Sequence, residues 1–421
     1  MKIDRRWIEW GKDALILLLT LSAAYLLSMT PLVRDSGLSD LLSAGESPGV
    51  GTAGGEPAAA MLPSRLAICA EGGRFGVQYD EARLEECFPP LGALLGDALA
   101  SAGGARAMSE SEWQRCLGSK GVYFDFEGEV PLTALERWLQ GTGAELLDGS
   151  ARRVLLCAGE QDQVLLCWQE AGSGRFFASP TALTQSLHLD PVVEGVDFNG
   201  AYFAFENEGL SDLLEPYTLI TEGEHGGAQY AASMPLAGES EVWAVLEAMS
   251  FSTQNHAPVS GGEVYLDGSD RLVVSDNGTV TYRAAQGEKY PVGDGLAGAV
   301  DTTRALAERT LGALCGEARL YLMSARETGE TLCVRFGYLL GGGAVRLGAD
   351  GWAAEFLVQD EHVAQFTLHF RSYAANGEHT LLLPIDKAAV MLPDLTDGRQ
   401  ELAIQYWDGG GTLLSPEWVA S

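Results

Sequence analysis

VYFDFEGEVPLTALERWL, residues Val122 to Leu139, holds a strand and a helix separated by one proline. Val122, Phe124 and Phe126 alternate with other residues, so in extended chain they share one face. Pro131 then supplies the preset backbone angle that opens a helix over Leu132–Leu139. The residues upstream repeat the mixture. RLAICA from Arg65 and RFGVQY from Arg74 flank Gly72 and Gly73 and read as a strand pair. Asp80 to Ala102 reads as a helix broken at Pro89 and Pro90. Ser109 to Glu112 opens a short helix carrying Trp113. The order strand, helix, helix, strand, helix makes an α+β unit over residues 64–150.

Downstream the texture turns to strands, and a β-rich domain is expected over residues 151–290. Val154–Cys157 and Val164–Trp168 read as a hairpin, Phe176 and Phe177 continue it, and a short helix follows at Thr181–Leu187. Ala201 to Phe205 is another strand, and Glu241–Met249 a helix. Arg271–Val274 and Thr279–Tyr282 are joined by Ser275 to Gly278, where Asn277 and Gly278 tolerate the positive φ of a tight hairpin. A last α+β domain, residues 291–421, opens with a helix at Thr302–Leu314. Strands follow at Ala318–Met323, Thr331–Tyr338, Trp352–Val358, Val363–Arg371 and Glu401–Trp407. Pro416 and Trp418 are expected to fold back and close this domain.

Toward the N-terminus, residues 34–63 are rich in Gly, Ser, Ala and Pro and lack aromatics, the composition of a flexible tether. Ahead of it, Ala14 to Val33 (ALILLLTLSAAYLLSMTPLV) carries no charge and as a helix spans roughly 30 Å, the thickness of a bilayer's hydrocarbon core. Lys2, Arg5, Arg6 and Lys12 precede it, with Trp7 and Trp10 at belt positions, so residues 1–13 are a cytoplasmic tail and the bulk of the chain lies outside the cell. A cleaved secretory signal with Ser22, Ala23 and Ala24 as its small-residue site is the alternative. Apolar sequence continuing through Tyr25, Leu26 and Leu27 favours the retained anchor. Thr20, Ala24 and Ser28 recur at helical spacing and form a stripe of small residues, a candidate contact for a partner in the membrane.

Net charge is −31 over 421 residues; the first thirteen carry +1 and the exported part −32. Such a surface repels nucleic acid and anionic headgroups, and it suits solubility or a protein partner. The hydrophobic fraction of 46% is enough for sizeable cores. Seven cysteines, an odd number without a CxxC pair, are too few for a disulfide scaffold and read mostly as buried thiols. Cys157 and Cys167 flank the hairpin turn and can face each other. Motifs for hydrolysis, phosphate binding or metal ligation are missing: no HExxH, no GxSxG, no P-loop, no SxxK. His362 and His369 sit seven apart on one strand and so on opposite faces. Asp267, Asp270 and Asp276 read as turn residues rather than a calcium loop. The pairs Glu127/Glu129 and Glu206/Glu208 read as exposed strand edges. No enzyme, cofactor or metal is indicated.

Four passages together resemble the YycH/YycI proteins, regulators encoded beside the WalK–WalR two-component system of low-GC Gram-positive bacteria. They are the short tail with one anchor, Val122–Leu139, the pair Leu246–Asn255 with Arg271–Tyr282, and Val334–Leu347 with the closing Ala403–Trp418. The resemblance, nearest to YycH, implies a non-enzymatic single-pass protein of the cell membrane that tunes a sensor histidine kinase controlling cell-wall metabolism. Its expected partners are that kinase and a second, YycI-like membrane protein. A wall-binding or sporulation-related structural protein is the alternative.

Overall fold

The computed structural model describes residues 61–140, 147–223, 225–285, 289–391 and 399–420. The expected anchor and tether up to residue 60 lie outside the described residues, among which no helix is long and apolar enough to cross a membrane. The architecture is mixed α+β.

Strands β1 (Arg65–Ala70), β2 (Gly73–Gln78), β3 (Arg106–Met108), β4 (Gly121–Pro131), β5 (Ser150–Ala158), β6 (Gln163–Glu170) and β7 (Phe176–Thr184) form an antiparallel sheet in the order β2-β1-β4-β5-β6-β7-β3. Helices α1 (Glu81–Ala100) and α3 (Leu132–Gln140) cover one face, where Leu84, Phe88, Leu95 and Leu135 meet Val122, Phe124, Val154 and Leu156. The short α2 (Glu110–Leu117) covers the other. Ser109 caps it and Glu112 returns the bond to the Ser109 backbone, which brings Trp113 into a fully buried place.

Two local expectations fail here. Helix α1 passes through Pro89 and Pro90 unbroken. Both rings point to solvent, as do Glu85 and Glu86, whose carbonyls lose their helical donors and can be hydrated. Phe88 and Leu91 on the buried side hold the helix in place. The helix expected at Thr181–Leu187 starts late, because Thr181 and Leu183 are taken up by β7, which runs to Thr184 and gives way to a π turn over Gln185–Leu189. A single turn, α4 (Asp190–Glu194), follows it.

Beyond lie the small pair β8 (Tyr202–Phe203) and β9 (Leu219–Ile220), then β10 (His225–Ser233) and α5 (Glu239–Ala248). The next strands are β11 (His256–Val259), β12 (Gly262–Asp267), β13 (Asp270–Ser275), β14 (Thr279–Arg283), β15 (Arg319–Thr328), β16 (Thr331–Leu340), β17 (Gly343–Leu347), β18 (Ala354–Gln359) and β19 (His362–His369). With β21 (Leu402–Asp408) and β23 (Pro416–Ala420) they form an eleven-stranded sheet, ordered β11-β12-β13-β14-β19-β18-β16-β17-β21-β23 with β15 on β16. Strand β20 (Ser372–Leu382) pairs instead with β10, whose other edge takes β22 (Leu413–Leu414). Gly278, at φ 80°, closes the β13–β14 hairpin as the sequence suggests.

Neither large sheet stops at the expected domain boundaries. Strand β5 crosses residue 150 and pairs with both β4 and β6, while β14 pairs with β19 across residue 290. The helix expected at Thr302–Leu314 is α6 (Gly295–Ala307), followed by a π turn over Glu308–Gly312. It begins early because Ala297, Gly298 and Ala299 let it lie close to Gly293; a Cβ on Gly298 would stand 2.3 Å from that residue's carbonyl carbon. A last helix, α7 (Ile385–Met391), precedes the closing strands. Trp418 does fold back: its ring meets Tyr79 edge-on at 6.2 Å, and its Nε1 donates to the Leu383 carbonyl at 2.9 Å.

The two sheets touch at Gly128. The β4–β5 register shifts after Asp125, and the displaced segment of β4 runs onto β15. A Cβ on Gly128 would lie 1.9 Å from the Leu322 carbonyl oxygen, so only glycine fits.

Candidate interaction site

Helix α5 carries two faces. Val245, Leu246 and then Met249 are buried, while Trp243 is 52% exposed. After the helix the chain reverses at Ser250, held at φ 55°, and Phe251 returns to the core. The Lys289 ammonium fixes this reversal: it donates to the Ser250 carbonyl at 2.8 Å, lies 4.5 Å from the Phe251 ring centre and pairs with Asp267. Tyr290 adds a bond from its hydroxyl to the Met249 carbonyl at 2.6 Å. The result is an open groove of about 390 Å³ lined by Trp243, Glu247, Ser252, Thr253 and Gln254 beside Ser250 and Phe251. An aromatic face beside hydroxyl and amide groups suits a peptide or a sugar ring.

A second exposed feature joins β20 to α7. Leu381, Leu383, Val390 and Met391 are between 49% and 72% exposed, whereas Ile385, Ala388 and Ala389 of the same stretch are buried. Ordinary surfaces carry single exposed apolar residues; four within eleven positions are a local concentration of them.

An ion cluster ties remote parts of the chain to the seven-stranded sheet. Arg65 of β1 is 1% exposed and reaches Asp125 of β4 at 3.1 Å and Glu401 at 2.6 Å. Arg152 grips Glu401 with two bonds, 2.5 and 2.7 Å, and Asp125 with a third at 3.0 Å. Arg153 holds Glu215 in a fork at 2.6 and 2.8 Å. Burial works to raise the Glu401 carboxyl, but Arg152, Arg65 and Arg153 around it hold it well below the usual range. Glu215 goes the other way: burial outweighs Arg153 and raises it.

Of the four glutamates read in the sequence as exposed strand edges, Glu129 and Glu206 are in such pairs. Glu206 forks onto Arg74 at 2.6 and 3.1 Å, and Glu129 onto Arg326. Asp270 accepts from the Tyr282 hydroxyl at 2.7 Å and the Ala285 amide at 2.9 Å, as a turn residue does. Glu127 is partly buried, and burial raises its carboxyl. Thr20, Ala24 and Ser28 lie outside the described residues. The groove and the ion cluster escaped sequence reasoning. Trp243 in a weakly patterned helix was a visible signal for the first, whereas contacts spanning 336 residues, as between Arg65 and Glu401, left none for the second.

No family model and no curated protein matches the sequence. Among solved structures, YycH from Bacillus subtilis aligns over 86% of this chain and 93% of its own, with a TM-score of 0.52 and 11% identity. The fold is YycH-like. At that identity the YycH likeness concerns the course of the backbone and not the side chains it carries. An uncharacterized protein from Eubacterium rectale covers 48% of this chain and 78% of its own at a TM-score of 0.32 and 10% identity, too distant to weigh.

Proposed function

We propose that this chain is a membrane-anchored accessory protein that regulates a sensor histidine kinase of the WalK type by contact, without chemistry of its own. The observation that carries the reading is the YycH-like backbone over 86% of the chain. Residues 14–33 hold it in the membrane with the N-terminus inside, and the exported region meets the kinase and a second membrane protein. Within the bilayer the stripe Thr20, Ala24 and Ser28 permits close helix approach. Deleting the gene in its own host and measuring the phosphorylated fraction of the partner response regulator tests this. A change of several-fold, restored by the full chain, is expected; an unchanged fraction together with no kinase recovered by cross-linking overturns the proposal. Ala24→Leu should weaken co-purification of the kinase while Leu27→Phe should not.

The groove beside Trp243 favours a second reading, a wall-binding protein holding glycan or peptide. Retention on purified cell walls that is lost with Trp243→Ala supports it; equal retention of both proteins excludes it.

A further inference from the structure

We propose that Cys116, Cys157 and Cys167 form a tris-thiolate site for one thiophilic d10 cation, Zn²⁺ or Cu⁺. Three elements bring them together. Cys157 on β5 and Cys167 on β6 are diagonal neighbours, opposite Leu165 and Leu155, so both point to the same side of the sheet. Cys116 comes down on them from the last turn of α2. The Cys157 and Cys167 sulfurs are 3.8 Å apart, and all three lie within 4.8 Å of one another.

The Cys157–Cys167 spacing is already what an ion requires. Thiolates held at about 2.3 Å by a tetrahedral ion stand about 3.8 Å from each other, and those on a planar three-coordinate ion slightly farther. An ion therefore enters between the sulfurs with almost no movement of the backbone. A disulfide would consume two of them, pull them together to about 2.0 Å and leave the third without a purpose. The other cysteines show the contrast. Cys69 accepts from Arg74 at 3.2 Å, Cys315 donates to the Ala318 carbonyl at 2.8 Å, and Cys333 lies by Glu355.

The donor set selects the metal. With three sulfurs and, among the described residues, no His, Asp or Glu in the cluster, oxygen-seeking ions such as Mg²⁺ and Ca²⁺ are excluded. Trp113, Leu155 and Phe176 belong to the same apolar cluster and shield the inner side, while Cys116 is only partly buried and gives the entry path. Arg106 and Arg115 act electrostatically on Cys116 and offset the negative charge of a tris-thiolate. Binding forms three metal–sulfur bonds, breaks three S–H bonds and passes three protons to the solvent. One coordination position stays free for water when the ion is Zn²⁺.

The full chain in detergent, reduced and metal-stripped under argon, is titrated with Zn²⁺ against a chromophoric chelator and with Cu⁺ against a cuprous chelator. One equivalent of one ion is expected, with the preferred ion decided by which chelator loses the competition. Affinity should fall at least a hundredfold in Cys116→Ser, whose part-exposed position tolerates the change, and stay the same in Cys87→Ser. In the unaltered protein the bound ion should slow alkylation of Cys116 several-fold. Failure to bind either ion, equal binding by Cys116→Ser, or a Cys157–Cys167 disulfide that forms in air in place of metal binding overturns the site. None of these outcomes bears on kinase regulation, so the two proposals fail separately.

Discussion

The two faces of the seven-stranded sheet are built from alternate residues of the same strands, yet one is apolar throughout and the other sets an ion cluster beside a smaller apolar cluster. On one, Leu66, Ile68, Val122, Phe124, Val154 and Leu156 pack beneath α1 and α3. On the other, β1, β4 and β5 present Arg65, Asp125 and Arg153 at one end and Cys69 and Cys157 about four residues along, roughly 13 Å away. The apolar face draws on non-directional burial, which fixes strand register because a one-residue slip would turn every apolar side chain out. The polar face does something burial cannot. Its forked ion pairs choose particular distant segments, Glu215 and Glu401, and hold them in one place. Desolvation makes such pairs weak sources of net stability, and costly to break.

The largest effect should come from breaking the polar face. Glu401→Ala leaves Arg65 and Arg152 to share Asp125 and should cost about 3–5 kcal/mol in urea unfolding. Adding Arg65→Met should return part of that loss, the mark of an uncompensated charge. The pH dependence has a definite sign. Because its neighbours hold the Glu401 carboxyl low, its contribution is complete above the ordinary carboxylate range and is lost as the pH falls toward the lowered folded-state value. The gap between the protein and Glu401→Gln should therefore narrow as the pH drops below about 4.

Trp113→Ala makes the matching test on the polar face's aromatic cover. Trp113 is fully buried, stacked on Phe176 at 5.1 Å and edge-on to Tyr217 at 6.1 Å, so its removal should cost about 3–4 kcal/mol. Its Nε1 donates to no acceptor among the described residues, so Trp113→Phe should cost less than half as much. No second substitution of a charge should rescue it. An equal rescue in both cases would erase the distinction between the two kinds of contact.

Gly128→Ala probes the seam between the sheets. Its Cβ would overlap the Leu322 carbonyl oxygen, and the backbones must part by more than an ångström. A loss of about 1–3 kcal/mol is expected by thermal unfolding, less than for Glu401→Ala. A larger loss would mean that the seam, and not the ion cluster, holds the halves together.

Much of the apolar face was legible in the sequence, because alternation at Val122, Phe124 and Phe126 is a local signal. The polar face was not. Arg65, Asp125 and Glu401 are ordinary surface residues until strands 60 and 336 residues apart are brought together. The strand pair β10 and β20 was missed for a related reason. Gly226 and Gly227 carry no apolar period, and the ladder of backbone bonds opposite Leu381 and Thr380 alone makes them strand, while Asn376, Gly377 and Glu378 lie in the register shift between His379 and Ala375. The prolines of α1 misled in the opposite direction, since tertiary packing of Phe88 and Leu91 overrode a strong local stop signal.

The smallest expected effect has the opposite sign and concerns Glu127, two residues beyond Asp125. It shares the neighbourhood of Arg65 and Arg152 but accepts no bond from either among the described residues. Burial raises its carboxyl, and the attraction of Arg65 and Arg152 only partly opposes this. A carboxyl raised in the folded state favours folding at low pH, and that advantage is lost as the pH rises through its folded value. At pH 7 Glu127 is therefore a burden that the Asp125–Glu401 cluster carries. Glu127→Gln keeps the shape, removes the ionisation and should raise the melting temperature by about 1–3 °C at pH 7 but not at pH 4. A gain at both pH values would point to packing in place of charge. A loss at pH 7 would make Glu127 a working member of the ion cluster, and the polar face would then extend along β4 to the seam at Gly128.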